Sequence, residues 1–300
     1  MKTLEEINRQ KDSEHEKILA RLKRRSLWRW LRAVAMDWGM IALALTIARA
    51  AHHPVIYFLA VFVIGTRQHA LALMAHEGGH RLICRTRWLN DLLAGLFCFW
   101  PLGQGIQGYR KFHFTHHAYV GTEQDPELTH KRLRTPQWDL PAAKLQIGGY
   151  FVKDMLGLSF MEIIPLMRTI PPAGLLDVSG ALVWWTAALS MAVWTHFYGI
   201  IILWFAALGT SFWAVFRLRV WTEHIGTAGA HRISVSWWQR WIFVPHNTWV
   251  HWEHHRWPSI PCHNLPQARL LNSREPVIPL NKLFDAYQIS EKIPSGTPLK

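Results

Sequence analysis

The sequence predicts an all-α integral-membrane protein with four transmembrane helices in two hairpins and a cytoplasmic helical cap that holds a histidine-rich metal centre. Three observations carry this. Apolar runs near the ~20 residues that a bilayer core requires recur in pairs. The 300 residues include 18 Trp, a side chain that favours the lipid–water boundary because an apolar ring there carries a polar edge. Histidines gather in three short clusters, each just beyond an apolar run or within a polar stretch.

Residues 1–32 carry ten Lys or Arg and five acidic residues, with Leu, Ile and Trp at helical spacing up to Trp30. That pattern fits an amphipathic lead-in on the membrane surface and a plain solvated helix equally well. The first apolar segment runs from Ala33 to Ala51 and the second from Pro54 to Ala75, with His52, His53 and Pro54 as the turn. Leu92 to Ile106 is too short to cross and is broken by Pro101 and several glycines, which predicts a re-entrant or interfacial hairpin. Ile147 to Met167 is amphipathic, and its embedded Lys153, Asp154 and Glu162 argue against full insertion. Ala181 to Phe197 and Gly199 to Phe216 form the second apolar pair, turning at His196 to Gly199. The chain thus divides into a basic segment (1–32), a membrane domain (33–270) and a cytoplasmic tail (271–300).

Thirty-three Lys and Arg against 20 Asp and Glu give a net charge of +13. No zinc-finger spacing, RNP pattern or heptad-bearing basic region accompanies that charge, so no nucleic-acid partner is expected. Lys and Arg are sparse in the two inter-helix turns but dense in the N-terminus, in 76–178 and in the C-terminal third. Basic residues stay on the cytoplasmic side, so both termini and the metal site are expected there, in a multi-pass protein of a bacterial inner membrane. No signal peptide is expected to be removed, since no early apolar run precedes a small-residue cleavage pattern. Cys84, Cys98 and Cys262 are odd in number and lack metal-type spacing, which predicts reduced thiols rather than a disulfide framework.

The clusters read His76-Glu77-Gly78-Gly79-His80, His113-Phe114-Thr115-His116-His117 and His251-Trp252-Glu253-His254-His255. On a helix, positions i and i+4, or i, i+3 and i+4, project from one face, so each cluster aims its imidazoles in one direction. At the His content of this chain, a given H-x-x-H-H run would arise by chance about 0.06 times; two are present. A single zinc closes with four ligands and a catalytic zinc takes three plus water, so eight convergent imidazoles imply two ions. Imidazole suits iron, copper, zinc and nickel alike, which leaves the metal open.

With its three boxes in order, the chain resembles the membrane fatty acid desaturases. The resemblance extends to Asp125-Pro126-Glu127 after the second box, to Pro245-His246-Asn247 before the third, and to the run from Arg256 to Pro266 after it; it covers about Pro54 to Arg269. It implies a non-haem di-iron centre held by the eight box histidines and by His224, at the cytoplasmic end of the fourth span. It further implies O2 as co-substrate, an acyl-lipid substrate in the bilayer, and desaturation of that chain. Asp125 and Glu77 are candidates for orienting ligand imidazoles by accepting their second N–H, Glu77 being read equally as a solvated helix face. His246 and Asn247 are similar to family positions near the centre. Where family members carry a water-bridging Asn four residues before the ninth histidine, this chain has Val220.

No haem-binding segment, Rossmann glycine pattern or Cys-rich cluster motif is found, so a separate electron donor of the ferredoxin or cytochrome b5 type is expected. Two other chemistries compete. The same scaffold hydroxylates or ketolates a lipid or carotenoid when oxygen returns to the carbon radical. His76-Glu77-Gly78-Gly79-His80 also satisfies the H-E-x-x-H pattern of a zinc protease, although that reading would leave six box histidines idle. Arg67, costly inside a bilayer, is expected to pair with Asp37 of the first span, the alternative being contact with a polar part of the substrate.

Overall fold

A computed structural model describes residues 14–127, 138, 144–224, 227, 229–272 and 275–283. Among them four helices are long and apolar enough to cross a membrane: Leu27–Ala51, Pro54–Gly79, Leu175–Trp194 and Gly199–Glu223. In chain order the helices begin with α1 (14–22), α2 (Leu27–Ala51), α3 (Pro54–Gly79), α4 (Arg87–Ala94) and α5 (Ile106–Tyr119). They continue with α6 (Lys144–Met155), α7 (Ile163–Thr169), α8 (Leu175–Trp194), α9 (Gly199–Gly209) and α10 (Ser211–Glu223). Three short helices close the order: α11 (Trp237–Ile242), α12 (His251–Arg256) and α13 (Leu265–Ala268).

Both spans of the first pair run longer than the apolar segments that predicted them. The Ser26 hydroxyl accepts the Arg29 N–H and starts α2 six residues before Ala33, satisfying a donor that the helix leaves open. Helix α3 starts at Pro54, whose fixed φ suits a first turn, and continues past Ala75 to carry His76. The joint is two residues, with His52 left-handed at φ 45°. The pair lies side by side in opposite directions: Trp30 Nε1 donates to the Met74 carbonyl at 3.2 Å, and Arg67 Nη1 meets Asp37 Oδ1 at 3.1 Å. Arg67 therefore takes the expected ion pair, and its other amino group bonds the Trp241 carbonyl. At the far end, Arg49 Nη2 donates to the Thr195 carbonyl at 3.0 Å, so the 52–53 and 195–198 turns share one end of the bundle.

The fourth span bends at Thr210 (φ −123°, ψ −90°), between α9 and α10. Ser211 Oγ donates to the Val61 carbonyl of α3 at 2.7 Å. Gly65 makes room for this crossing, since a Cβ there would lie 2.0 Å from Ser211 Oγ. Beyond the bend, α10 extends to Glu223, past the expected end at Phe216, and delivers His224 to the cap.

The region from Leu92 to Ile106 is α4, a π-helical turn over Gly95–Phe99 and a tight loop with Gly103 at φ 69°. Trp100 packs against Gly95 and Gly180, where a Cβ would come within 2.6 and 2.4 Å of its ring, and its Nε1 donates to Asp177. The predicted amphipathic stretch splits into α6, a 3-10 turn (Phe160–Glu162) and α7. Asp154 is buried and paired with Arg217 of α10 at 2.6 Å, and the half-buried Glu162 meets the same guanidinium at 3.0 Å.

Residues 1–13 and 284–300, parts of the predicted N-terminal segment and tail, lie outside the described residues. The described part of the tail is packed onto the cap: Ile278–Pro279 pairs in parallel with Ile233–Ser234, and Leu283 is buried with Ile233, Val250 and Leu22 of α1. The three cysteines are free thiols.

Candidate metal centre

All nine candidate histidines converge. His76 lies in the last turn of α3 and His80 just beyond it. His113, His116 and His117 share one face of α5, and His224 follows α10. His251, His254 and His255 come from α12, six residues long and too short to hold its own helix. Buried Glu253 anchors it from within the box, facing Arg232 at 2.7 Å and Arg269 at 3.0 Å.

The ring nitrogens form two groups. Those of His76, His80, His113, His117 and His254 lie within 4.8 Å of one another, as do those of His116, His224 and His255. His251 joins the second group, its Nε2 2.8 Å from His224 Nε2 and 3.1 Å from His255 Nε2. Further Nε2-to-Nε2 separations are 2.9 Å for His113–His80, 3.0 Å for His117–His113, 3.0 Å for His254–His117 and 3.1 Å for His116–His224. Imidazole nitrogen sits roughly 2.0–2.1 Å from a first-row ion such as zinc, so two such bonds at right angles leave their nitrogens about 2.9 Å apart. The observed spacing is thus that of ligand edges around a cation. His76 Nε2, buried and without a hydrogen-bond partner among the described residues, fits the same role.

The outer nitrogens fix this arrangement. His116 Nδ1 faces Asp125 Oδ1 at 2.8 Å, His224 Nδ1 faces the Gly229 carbonyl at 2.8 Å, and His251 Nδ1 faces Glu223 Oε1 at 3.1 Å. An acceptor opposite Nδ1 places the hydrogen there and leaves Nε2 with a bare lone pair pointing inward. Burial, then repulsion from neighbouring imidazoles and Arg110, lowers His80 to about 3; burial and His116 lower His117 to about 4. His113, His251, His254 and His255 are pushed down by the same two causes. Burial opposes ionisation of Asp125, yet its hydrogen bond and proximity to His116 hold it below the usual carboxylate range. These six imidazoles are therefore neutral, the form in which imidazole binds metal.

A cavity of 180 Å³ opens from His76, His113, His116 and His251 between apolar walls that include Phe99, Phe112, Leu166, Leu208 and Phe212.

The model for the fatty acid desaturases matches residues 52–277. The chain belongs to the fatty acid desaturase family. This is a family of oxidoreductases, and the four spans make this member a membrane protein. Over 97 residues it is 38% identical to a dihydrorhizobitoxine desaturase of Bradyrhizobium elkanii, covering 32% of this chain and 27% of that protein. Over 88 residues it is 33% identical to an sn-1 acyl-lipid omega-3 desaturase (ferredoxin) of Nostoc sp. (strain 36), covering 29% and 24%. The chain therefore spans about a quarter of the length of these curated relatives.

The four residues singled out around the desaturase boxes fall in different places. Asp125 faces a cluster imidazole. The Glu77 carboxylate is buried, not on a solvated face, and accepts the Cys262 N–H at 2.9 Å. His246 Nε2 reaches Asp37 at 2.7 Å and so binds the cap to the first span, whereas Asn247 Nδ2 donates to the Cys262 carbonyl at 3.2 Å within the cap. Val220 is buried among Trp138, Trp213 and Trp221. Sequence reasoning missed Glu223, Gly229 and Tyr109. Glu223 is the acid beside His224, and Tyr109 stands four residues before His113, whose ring it stacks at 5.3 Å. Both offsets were available as signals; the Gly229 carbonyl had none.

Proposed function

We propose that the chain is an O2-dependent acyl-lipid desaturase with two iron ions. One is held by His76, His80, His113, His117 and His254, the other by His116, His224, His251 and His255. The observation that carries this is the edge spacing of the nine imidazoles, in two groups that open into one cavity. Iron bound there, with O2 and two electrons from outside the chain, supplies the oxidising power that breaking two unactivated C–H bonds requires. In balance, O2 leaves as two waters, taking two hydrogens from the chain, two protons and two electrons.

The protein's own part is positional. Asp125, Glu223 and the Gly229 carbonyl hold three imidazoles in the tautomer that ligates. The aromatic and aliphatic walls exclude water and hold an acyl chain against the imidazole end. Two electrons must arrive from a separate donor, of the ferredoxin or cytochrome b5 type. The net charge of +13 favours an acidic partner, and the name of the Nostoc relative includes ferredoxin. The imidazole end lies opposite the two turns poor in Lys and Arg, which supports a cytoplasmic centre and termini in a bacterial inner membrane. The peptidase reading is disfavoured by Glu77: its carboxylate, the base such an enzyme needs, is engaged by the Cys262 N–H.

The test is lipid analysis by mass spectrometry after expression in a desaturase-free host, with metal analysis of the purified chain. Two irons per chain and a loss of two hydrogens from an acyl chain, abolished in His116→Ala, are expected. New unsaturation that survives the substitution, or one zinc per chain, overturns the proposal; a gain of one oxygen points to a hydroxylase.

A further inference from the structure

Among the residues lining the cavity at the imidazole end, His76 Nε2, the indole N–H groups of Trp138 and Trp213, one nitrogen of His69 and one of Arg219 are buried without partners among the described residues; the last two are an acceptor and a donor. His69 of α3 is fully buried and lines the cavity. Its Nε2 lies 3.2 Å from the Phe243 carbonyl, an acceptor, so Nε2 carries the ring hydrogen and Nδ1 is a bare acceptor. That Nδ1 is buried and has no hydrogen-bond partner among the described residues. Arg219 of α10 lines the same cavity. One of its amino groups meets Glu223 at 2.6 Å, while its Nε–H, a donor, is buried without a partner among the described residues. Buried polar groups are nearly always satisfied, and those that are not call for an explanation.

We propose that His69 and Arg219 select a chain bearing a hydroxyl group close to the carbons that react. A hydroxyl donates through its hydrogen and accepts through its lone pairs, so it carries both the donor that His69 Nδ1 lacks and the acceptor that Arg219 Nε–H lacks. An ester or ketone oxygen has no hydrogen to give to His69. An ammonium group has no lone pair for Arg219 and meets its positive charge. Both residues act as positioning groups, and the inference rests on the desaturase reading for the identity of the cavity.

The test is equilibrium binding to the full-length protein in phosphatidylcholine nanodiscs. Its probes are palmitate and the positional isomers of monohydroxy-palmitate, with product formation followed separately. At least one isomer is expected to bind about tenfold more tightly than palmitate, about 1.4 kcal/mol. His69→Phe should erase that preference and His69→Asn, which keeps an acceptor, should restore part of it. The proposal is overturned if no isomer outbinds palmitate in the unaltered protein, a comparison that needs no variant, or if the preference survives in a folded His69→Phe. Absence of unsaturated product from every probe counts against the desaturase reading instead, while the binding preference stands or falls by itself.

Discussion

Removing the Asp125 carboxylate tests the logic of the centre at one atom. Oδ1 faces His116 Nδ1 at 2.8 Å and accepts the Glu127 N–H at 2.9 Å, while Oδ2 accepts the Gly121 N–H at 3.2 Å. Asp125→Ala thus strips an acceptor from three donors. At about 1 kcal/mol each the folded state loses roughly 3 kcal/mol, and less where water reaches the two half-buried backbone groups. The larger effect falls on His116, which can turn or change tautomer once nothing holds its Nδ1 hydrogen. Loss of such a partner typically costs a metal site about 10–100-fold in affinity, or about 1.4–2.8 kcal/mol. His116 belongs to only one of the two imidazole groups, so the loss is selective. Under rising chelator concentration the variant should pass through a one-iron state at about 10–100-fold less chelator than the parent, and Asp125→Asn, which keeps one oxygen, should fall between them. Iron per chain after dialysis, read against protein concentration, is the assay. If Asp125→Ala retains both ions at the parent's chelator concentration, or loses them together, this carboxylate does not secure a ligand of a separate ion.

Two further outcomes are expected. Arg217→Met leaves the buried Asp154 without its cation, a loss of about 3–5 kcal/mol; the folded fraction after detergent extraction should collapse on size exclusion, and a normal elution profile would contradict the account. The pH dependence follows from His80 and His117, at about 3 and about 4 in the folded chain against an ordinary 6.5. Between those values the unfolded chain binds more protons, so stability of the iron-free protein should fall as pH drops from about 6.5 towards 4 and flatten below about 3. Thermal unfolding across that range checks the sign, and a melting temperature that rises on acidification refutes it.

The candidacy of His224 came from the resemblance to the desaturases; the sequence by itself determined the helical membrane fold, the four spans to within seven residues at either end and the three boxes. These are local properties. Apolar runs answer to bilayer thickness, and imidazoles three and four apart must share a helix face whatever surrounds them. It also marked Arg67 for Asp37, because an isolated guanidinium is too costly between apolar stretches to be left alone.

Only the tertiary structure decided how the nine imidazoles divide, since His116 and His117 are adjacent in the chain yet enter different groups, and His254 joins residues 137 or more positions away. It also assigned the carboxylates: Asp125 faces an imidazole, whereas Glu77, next to His76 in the first box, turns to the Cys262 backbone. The pairing of Asp154 and Glu162 with Arg217 and the bend at Thr210 belong with these. Each depends on a partner more than 50 residues distant, and which partner arrives is a matter of packing that no local pattern encodes.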